Sequence, residues 1–110
     1  MASDLEKRQR ARETVVEAGG KQYTVRRPTA MQRIHLAGAS PVDLVRECVV
    51  GWNLQRIDLY PGGDPQPAAF DVDLWADWLA DSPEIWEPLS RAIVDMVGAH
   101  EQRLEDAAKN

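Results

Sequence analysis

The chain has 110 residues, room for one compact domain and too few for two. A hydrophobic fraction of 44% beside a charged fraction of 28% supports a buried core and excludes a disordered or collagen-like chain. The net charge of −5 is unevenly placed: residues 1–35 hold eight Lys/Arg and four Asp/Glu, and residues 36–110 hold five and fourteen.

An acidic body lacks the basic face that phosphate contacts need, which argues against a general nucleic-acid binder. The basic N-terminal third is instead suited to an acidic partner or to a second copy of the chain. The single cysteine, Cys48, allows no intramolecular disulfide and no zinc cluster, and its apolar neighbours mark it as a buried, inert thiol. The basic residues near the N-terminus are not followed by an apolar signal segment, and the apolar runs are too short to span a bilayer. A cytoplasmic protein is the expectation.

Residues 1–12 carry Leu5 as their only large apolar side chain besides Met1, and they read as a mobile polar arm. Two alternating runs then flank Gly19-Gly20, a dipeptide suited to the positive φ angles of a tight hairpin turn. Pairing across that turn sets Val16 opposite Tyr23 and Thr14 opposite Val25, all four on one face. Thr29 is an N-cap for a short helix with Met31, Ile34 and His35 facing inward, and Gly38 is its stop signal. Ser40-Pro41 opens the next helix, whose Val45, Cys48, Val49 and Trp52 recur at helical spacing, so it is expected to run to about Asn53. Residues 54–60 are expected to be extended, with Ile57 and Leu59 pointing the same way. Residues 61–67, rich in Pro and Gly, form a surface loop.

Asp71 caps a helix running to about Ala80, with Leu74, Trp75, Trp78 and Leu79 as its apolar face. Ser82-Pro83 leads into a tight segment over 83–87. A regular helix is expected from about Pro88, with Leu89, Ile93, Met96, Val97, His100 and Leu104 on one stripe. These elements predict a mostly helical α+β domain in which an N-terminal two-stranded β-hairpin packs against about four α-helices, residues 13–110 forming a single globular domain.

The acidic series Asp71, Asp73, Asp77 and Asp81 lacks the glycine that a calcium loop needs at its sixth position, and it reads as a solvated helix face. Gly62-Gly63 is not followed by the Lys and Ser/Thr of a phosphate loop. His35 and His100 lie on or beside apolar stripes and read as packing residues. No catalytic residue, cofactor site or metal ligand is assigned, and the chain is read as non-enzymatic. Four indoles are many for a core this small, and an exposed Trp with acidic neighbours is a good interface anchor. Trp52, Trp75 and Trp86, with Arg26 and Arg27, are therefore the candidate partner-binding residues.

The run Gly20-Lys21-Gln22-Tyr23-Thr24-Val25-Arg26-Arg27-Pro28-Thr29, the Val49-Val50-Gly51-Trp52-Asn53 segment, the Pro61-Gly62-Gly63-Asp64 loop, Phe70-Asp71 before a Leu/Trp helix, and Asp81-Ser82-Pro83 before the last helix form an ordered pattern. Over residues 14–97 that order resembles the tail assembly chaperones of long-tailed bacteriophages. The resemblance implies a non-catalytic protein of the bacterial host cytoplasm that binds the tape measure protein and recruits tail tube subunits, with no membrane partner. The alternative is a small regulatory or nucleic-acid-binding module using the basic arm Lys7, Arg8, Arg10 and Arg12 with Arg26 and Arg27. The helix after Ala39, which would have to enter a groove, carries Asp43 and Glu47 against Arg46 alone, which makes nucleic acid the poorer partner.

Overall fold

A computed structural model describes residues 1–109. Six α-helices and a three-stranded antiparallel sheet form a mixed α+β fold that is mostly helical, with the hairpin near the N-terminus. In chain order these are α1 (Asp4–Ala11), β1 (Glu13–Ala18), β2 (Lys21–Arg26), α2 (Ala30–His35), α3 (Pro41–Cys48), β3 (Val49–Trp52), α4 (Arg56–Leu59), α5 (Val72–Ala80) and α6 (Trp86–Ala108), with a 3₁₀ turn at Pro83–Ile85 before α6.

The hairpin has the expected register, Thr14 against Val25 and Val16 against Tyr23. Gly19 and Gly20 supply φ values of 58° and 77°, as a two-residue turn of this hand requires. Tyr23 and Val25 are fully buried beneath the helices, while Val15 and Glu17 on the opposite face are exposed. Thr14 shares the inner register but is exposed, because it sits at the open end of the hairpin.

The helix expected to reach Asn53 stops at Cys48, and residues 49–52 form β3 against β2. Val49 and Val50 are β-branched and suit a strand, and Val49, Gly51 and Trp52 pair with Val25, Thr24 and Tyr23 of β2. Val50 is the extra residue of a bulge between Thr24 and Val25. Gly51 lets the strands close: a Cβ there would lie 3.2 Å from Thr24 Oγ1.

Residues 54–60 are also not extended. Leu54 is buried, α4 is a single helical turn, and Ile57 is exposed. Asp58 sets that turn: it accepts from the Gln55 backbone N–H at 2.8 Å and from Lys21 Nζ at 2.8 Å. These contacts, the Lys21 bond first, hold the Asp58 carboxyl below the usual carboxylate range. The 61–67 loop folds back over α4 through Ile57 N–H to Asp64 O (2.9 Å) and Arg56 N–H to Gln66 O (3.1 Å).

The helix starts follow the capping signals. Thr29, Ser40 and Asp71 accept from the backbone N–H groups of Gln32, Asp43 and Leu74. α2, however, does not turn its apolar side inward: Met31, Ile34 and His35 are all exposed. Two turns are too short to bury a stripe while the capping box fixes the entry of the chain. Leu74 is likewise exposed, leaving Trp75 and Leu79 as the buried pair of α5. α6 begins at Trp86, two residues before Pro88; the missing Pro88 N–H falls in the first turn, where no intrahelical partner exists.

Residues 4–11, read from sequence as a polar arm, are helical. Ser3 caps them by accepting from Glu6 N–H at 3.1 Å, and the helix buries no residue. The core gathers Tyr23, Val25, Val45, Cys48, Val49, Trp75, Leu79, Ile85, Leu89 and Ile93 between the sheet, α3, α5 and α6. The side chains of α6 beyond His100 are exposed.

Gly63 has the least room of the glycines: a Cβ would lie 2.4 Å from the Arg56 carbonyl oxygen. Gly98, on exposed helix, would meet nothing within 4 Å. Gly63→Ala should therefore destabilise by about 2 kcal/mol, and Gly98→Ala should stabilise by roughly 0.5–1 kcal/mol. Urea unfolding midpoints that move in opposite directions would check both.

Candidate interaction surfaces

The four tryptophans divide by burial, but all four spend their indole N–H inside the protein. Trp75 is 1% exposed, and it packs on Tyr23, Trp52 and Phe70 with ring centroids 5.6, 6.4 and 6.2 Å away. Its Nε1 donates to Arg46 O at 3.2 Å, a carbonyl in the last turn of α3. Trp86 Nε1 donates to Leu79 O at 2.6 Å, near the end of α5. The first of these caps a carbonyl in the last turn of α3, where helix termini run short of intrahelical donors, and the second adds a side-chain donor to a carbonyl that already accepts from Ser82 N–H at 3.2 Å. Trp52 Nε1 donates to Ala68 O at 2.8 Å, and Trp78 Nε1 donates to the Tyr23 hydroxyl at 2.9 Å.

Of the candidate partner-binding residues, Trp75 therefore belongs to the core, and it only borders a cavity of about 390 Å³ that Arg26 also lines. Trp52 is half-buried against Phe70, with ring centroids 5.0 Å apart. Trp86 is also half-buried, and it lines an open apolar groove of about 520 Å³ with Pro41, Val42, Ser90 and Val94. Val94, 59% exposed, also lines a neighbouring cavity of about 260 Å³ with Leu36, Leu44 and Val97. The two hollows share that side chain and so run on along one side of α6. Exposed Met31 and Ile34 belong to α2, which is tied to α6 by the Arg33–Glu101 ion pair at 2.6 Å.

Arg26 and Arg27 diverge, as neighbours at the end of a strand must. Arg26 lies on the outer register of β2, where its Nε and Nη2 donate to Glu13 Oε2 at 2.9 and 2.7 Å. Arg27 lines a separate cleft with Arg12 and Arg103. The structure thus brings neither arginine to Trp52 or Trp86 as a single site. The sequence reading missed Val42, Val94 and Arg103, and it named Arg12 only as part of the basic arm. Val94 could have been found, since it is an apolar residue lying outside the buried stripe of α6, four residues on from Ser90 and eight from Trp86. Arg103 had no such signal, because its neighbours in the cleft come from distant parts of the chain.

Asp71, Asp73, Asp77 and Asp81 are all exposed, and Asp71 serves as the α5 N-cap. Among the described residues, no three His, Cys, Asp or Glu side chains are grouped to hold a metal ion, and no helix is long and apolar enough to cross a membrane. His100 is half-buried; desolvation, then the charges of Arg27 and Arg103, hold its imidazole below the ordinary value. Comparison with protein-family models, curated proteins and solved structures finds no match to this chain.

Cys48 is 2% exposed, and burial, then the neighbouring Glu47 charge, pushes its thiol from 9.0 up to about 11. Stability is unaffected below the unfolded value. It falls as pH rises from 9.0 to about 11, because only the unfolded chain releases the proton in that window. The loss should be on the order of 2 kcal/mol. Tyr23, whose phenol is also raised chiefly by burial, adds to the decline at higher pH. Subtracting the pH–stability curve of Cys48→Ala from that of the parent should isolate the cysteine part, and the native thiol should resist a thiol reagent at neutral pH.

Proposed function

We propose that this protein is a non-catalytic tail assembly chaperone of a long-tailed phage or prophage, acting in the bacterial cytoplasm on the tape measure protein and tail tube subunits. The observation that carries the reading is the open apolar groove along α6, walled by Val42, Trp86 and Val94 and continued toward Leu36 and Val97. From Trp86 to Val94 it follows about 12 Å of helix, enough to seat two turns of a partner helix. A groove of this kind matches the apolar stripe of an amphipathic helix. The proposed occupant is a helical segment of the tape measure protein. Trp86 supplies the large anchor at one end of the groove, and Glu87 and Arg91, paired with each other, form its charged rim. The order of sequence features over residues 14–97 is the second support.

Val94→Asp should weaken capture of a co-expressed tape measure protein by about tenfold or more. Its melting temperature should stay near that of the parent, because Val94 is exposed. Val42→Asp is the companion on the opposite wall. Equal capture by parent and both variants would remove the groove from the interface. A gene neighbourhood without a tail tube gene upstream and a tape measure gene downstream would remove the assembly role itself.

A further inference from the structure

Three arginines from distant parts of the chain meet in one cleft on the sheet–α6 boundary. Arg12 lies between α1 and β1, Arg27 just after β2, and Arg103 in the outer part of α6; together they line a cavity of about 240 Å³ with Thr14, Met96 and Ala99. A backbone bond from Arg27 N–H to Arg12 O at 2.8 Å fixes the first two side by side. Like charges this close repel, and a fold that keeps them together leaves strong anion attraction at the site.

Among the described residues, no carboxylate forms an ion pair within 4.0 Å of the Arg12, Arg27 or Arg103 guanidinium nitrogens. Glu13 borders the cavity, but its Oε2 is taken by Arg26. Arg33 nearby has its own partner in Glu101. The contacts the cleft arginines do make are long: Arg12 Nη1 to Arg8 O at 3.5 Å and Arg27 Nη1 to Pro28 O at 3.4 Å. Arg12 Nε is buried without any hydrogen-bond partner, a cost that a folded protein rarely carries. The field of the cluster is felt by its neighbours: after desolvation, Arg12, Arg103 and Arg33 act to lower Arg27, and Arg27, Arg103 and Arg33 act to lower His100.

We propose that this cleft is a binding site for a phosphate dianion, free or as a monoester. A carboxylate would cancel one of the three charges and offer two oxygens. A phosphate group with close to two negative charges and three acceptor oxygens answers both the charge and the number of guanidinium donors. The exposed phosphates of a duplex carry one charge each and approach along a surface, whereas this site is a cleft bordered by Met96 and Ala99. The inference stands apart from the assembly role, since none of these arginines lines the α6 groove.

The test is titration of the full chain with inorganic phosphate, adenosine monophosphate, acetate and a short DNA duplex at constant ionic strength, followed by calorimetry and by NMR of the arginine Nε–H signals. Phosphate or the monoester should bind saturably and shift the Arg12 and Arg103 signals; whichever binds more tightly identifies the source. Arg103→Ala, at an exposed position that leaves the fold intact, should weaken binding about tenfold. Arg56→Ala, which removes the same charge elsewhere, should leave binding unchanged. Acetate binding as tight as phosphate, equal losses in the two variants, a response that never saturates, or binding of the duplex alone would each overturn the proposal.

Discussion

The structure depends on the indole of Trp75. Its ring fills the space between β2, β3 and the 68–70 segment, and its N–H closes the end of α3. A ring of this size removes a large apolar area from water. The hydrogen bond does something burial alone cannot: it gives a partner to a carbonyl near the end of α3, at the point where the chain changes from helix to strand. Cys48 ends α3 and Val49 begins β3 with no loop between them. Such a junction leaves backbone acceptors with neither a helical nor a sheet partner, and a buried donor from another element resolves the conflict.

Trp86 adds a second donor to the Leu79 carbonyl at the end of α5, which also accepts from Ser82 N–H, and Trp52 donates to the loop carbonyl of Ala68. The protein therefore uses its tryptophans as both bulk and donors. This is why four of them suit so small a domain, and why an argument from indole number to exposed interface anchors fails for Trp75. Half-burial at Trp86 is a different matter. There the N–H is held inside while part of the ring borders the α6 groove.

The hairpin was legible down to its register because its signals are local: a Gly-Gly turn and alternation of period two on each side. The N-caps at Thr29, Ser40 and Asp71 were legible for the same reason. The end of α3 was not, because Val45, Cys48, Val49 and Trp52 satisfy helical spacing and the deciding interaction is β2, more than twenty residues earlier in the chain. The outward turn of Met31 and Ile34 was hidden likewise, since spacing identifies a stripe without saying whether a neighbour covers it. Of the candidate site, Trp86 and Arg27 could be named from residue type. Their companions Val94 and Arg103 acquire meaning only when α6 is laid along the sheet and α3.

The direct passage from α3 into β3 also bears on the order in which the chain can fold. β1 and β2 are joined by two residues and can close within microseconds, as hairpins do. An isolated hairpin is marginal in water, so this one gains permanence only when β3 pairs with Tyr23 and Val25. β3 cannot arrive alone, because α3 is continuous with it and packs on α6. The central strand is thus completed in the same event that docks α3 and α6, and the folding nucleus spans both ends of the domain. The cooperativity of this small protein would then arise from a missing loop: a helix and a strand that share a boundary must be ordered together.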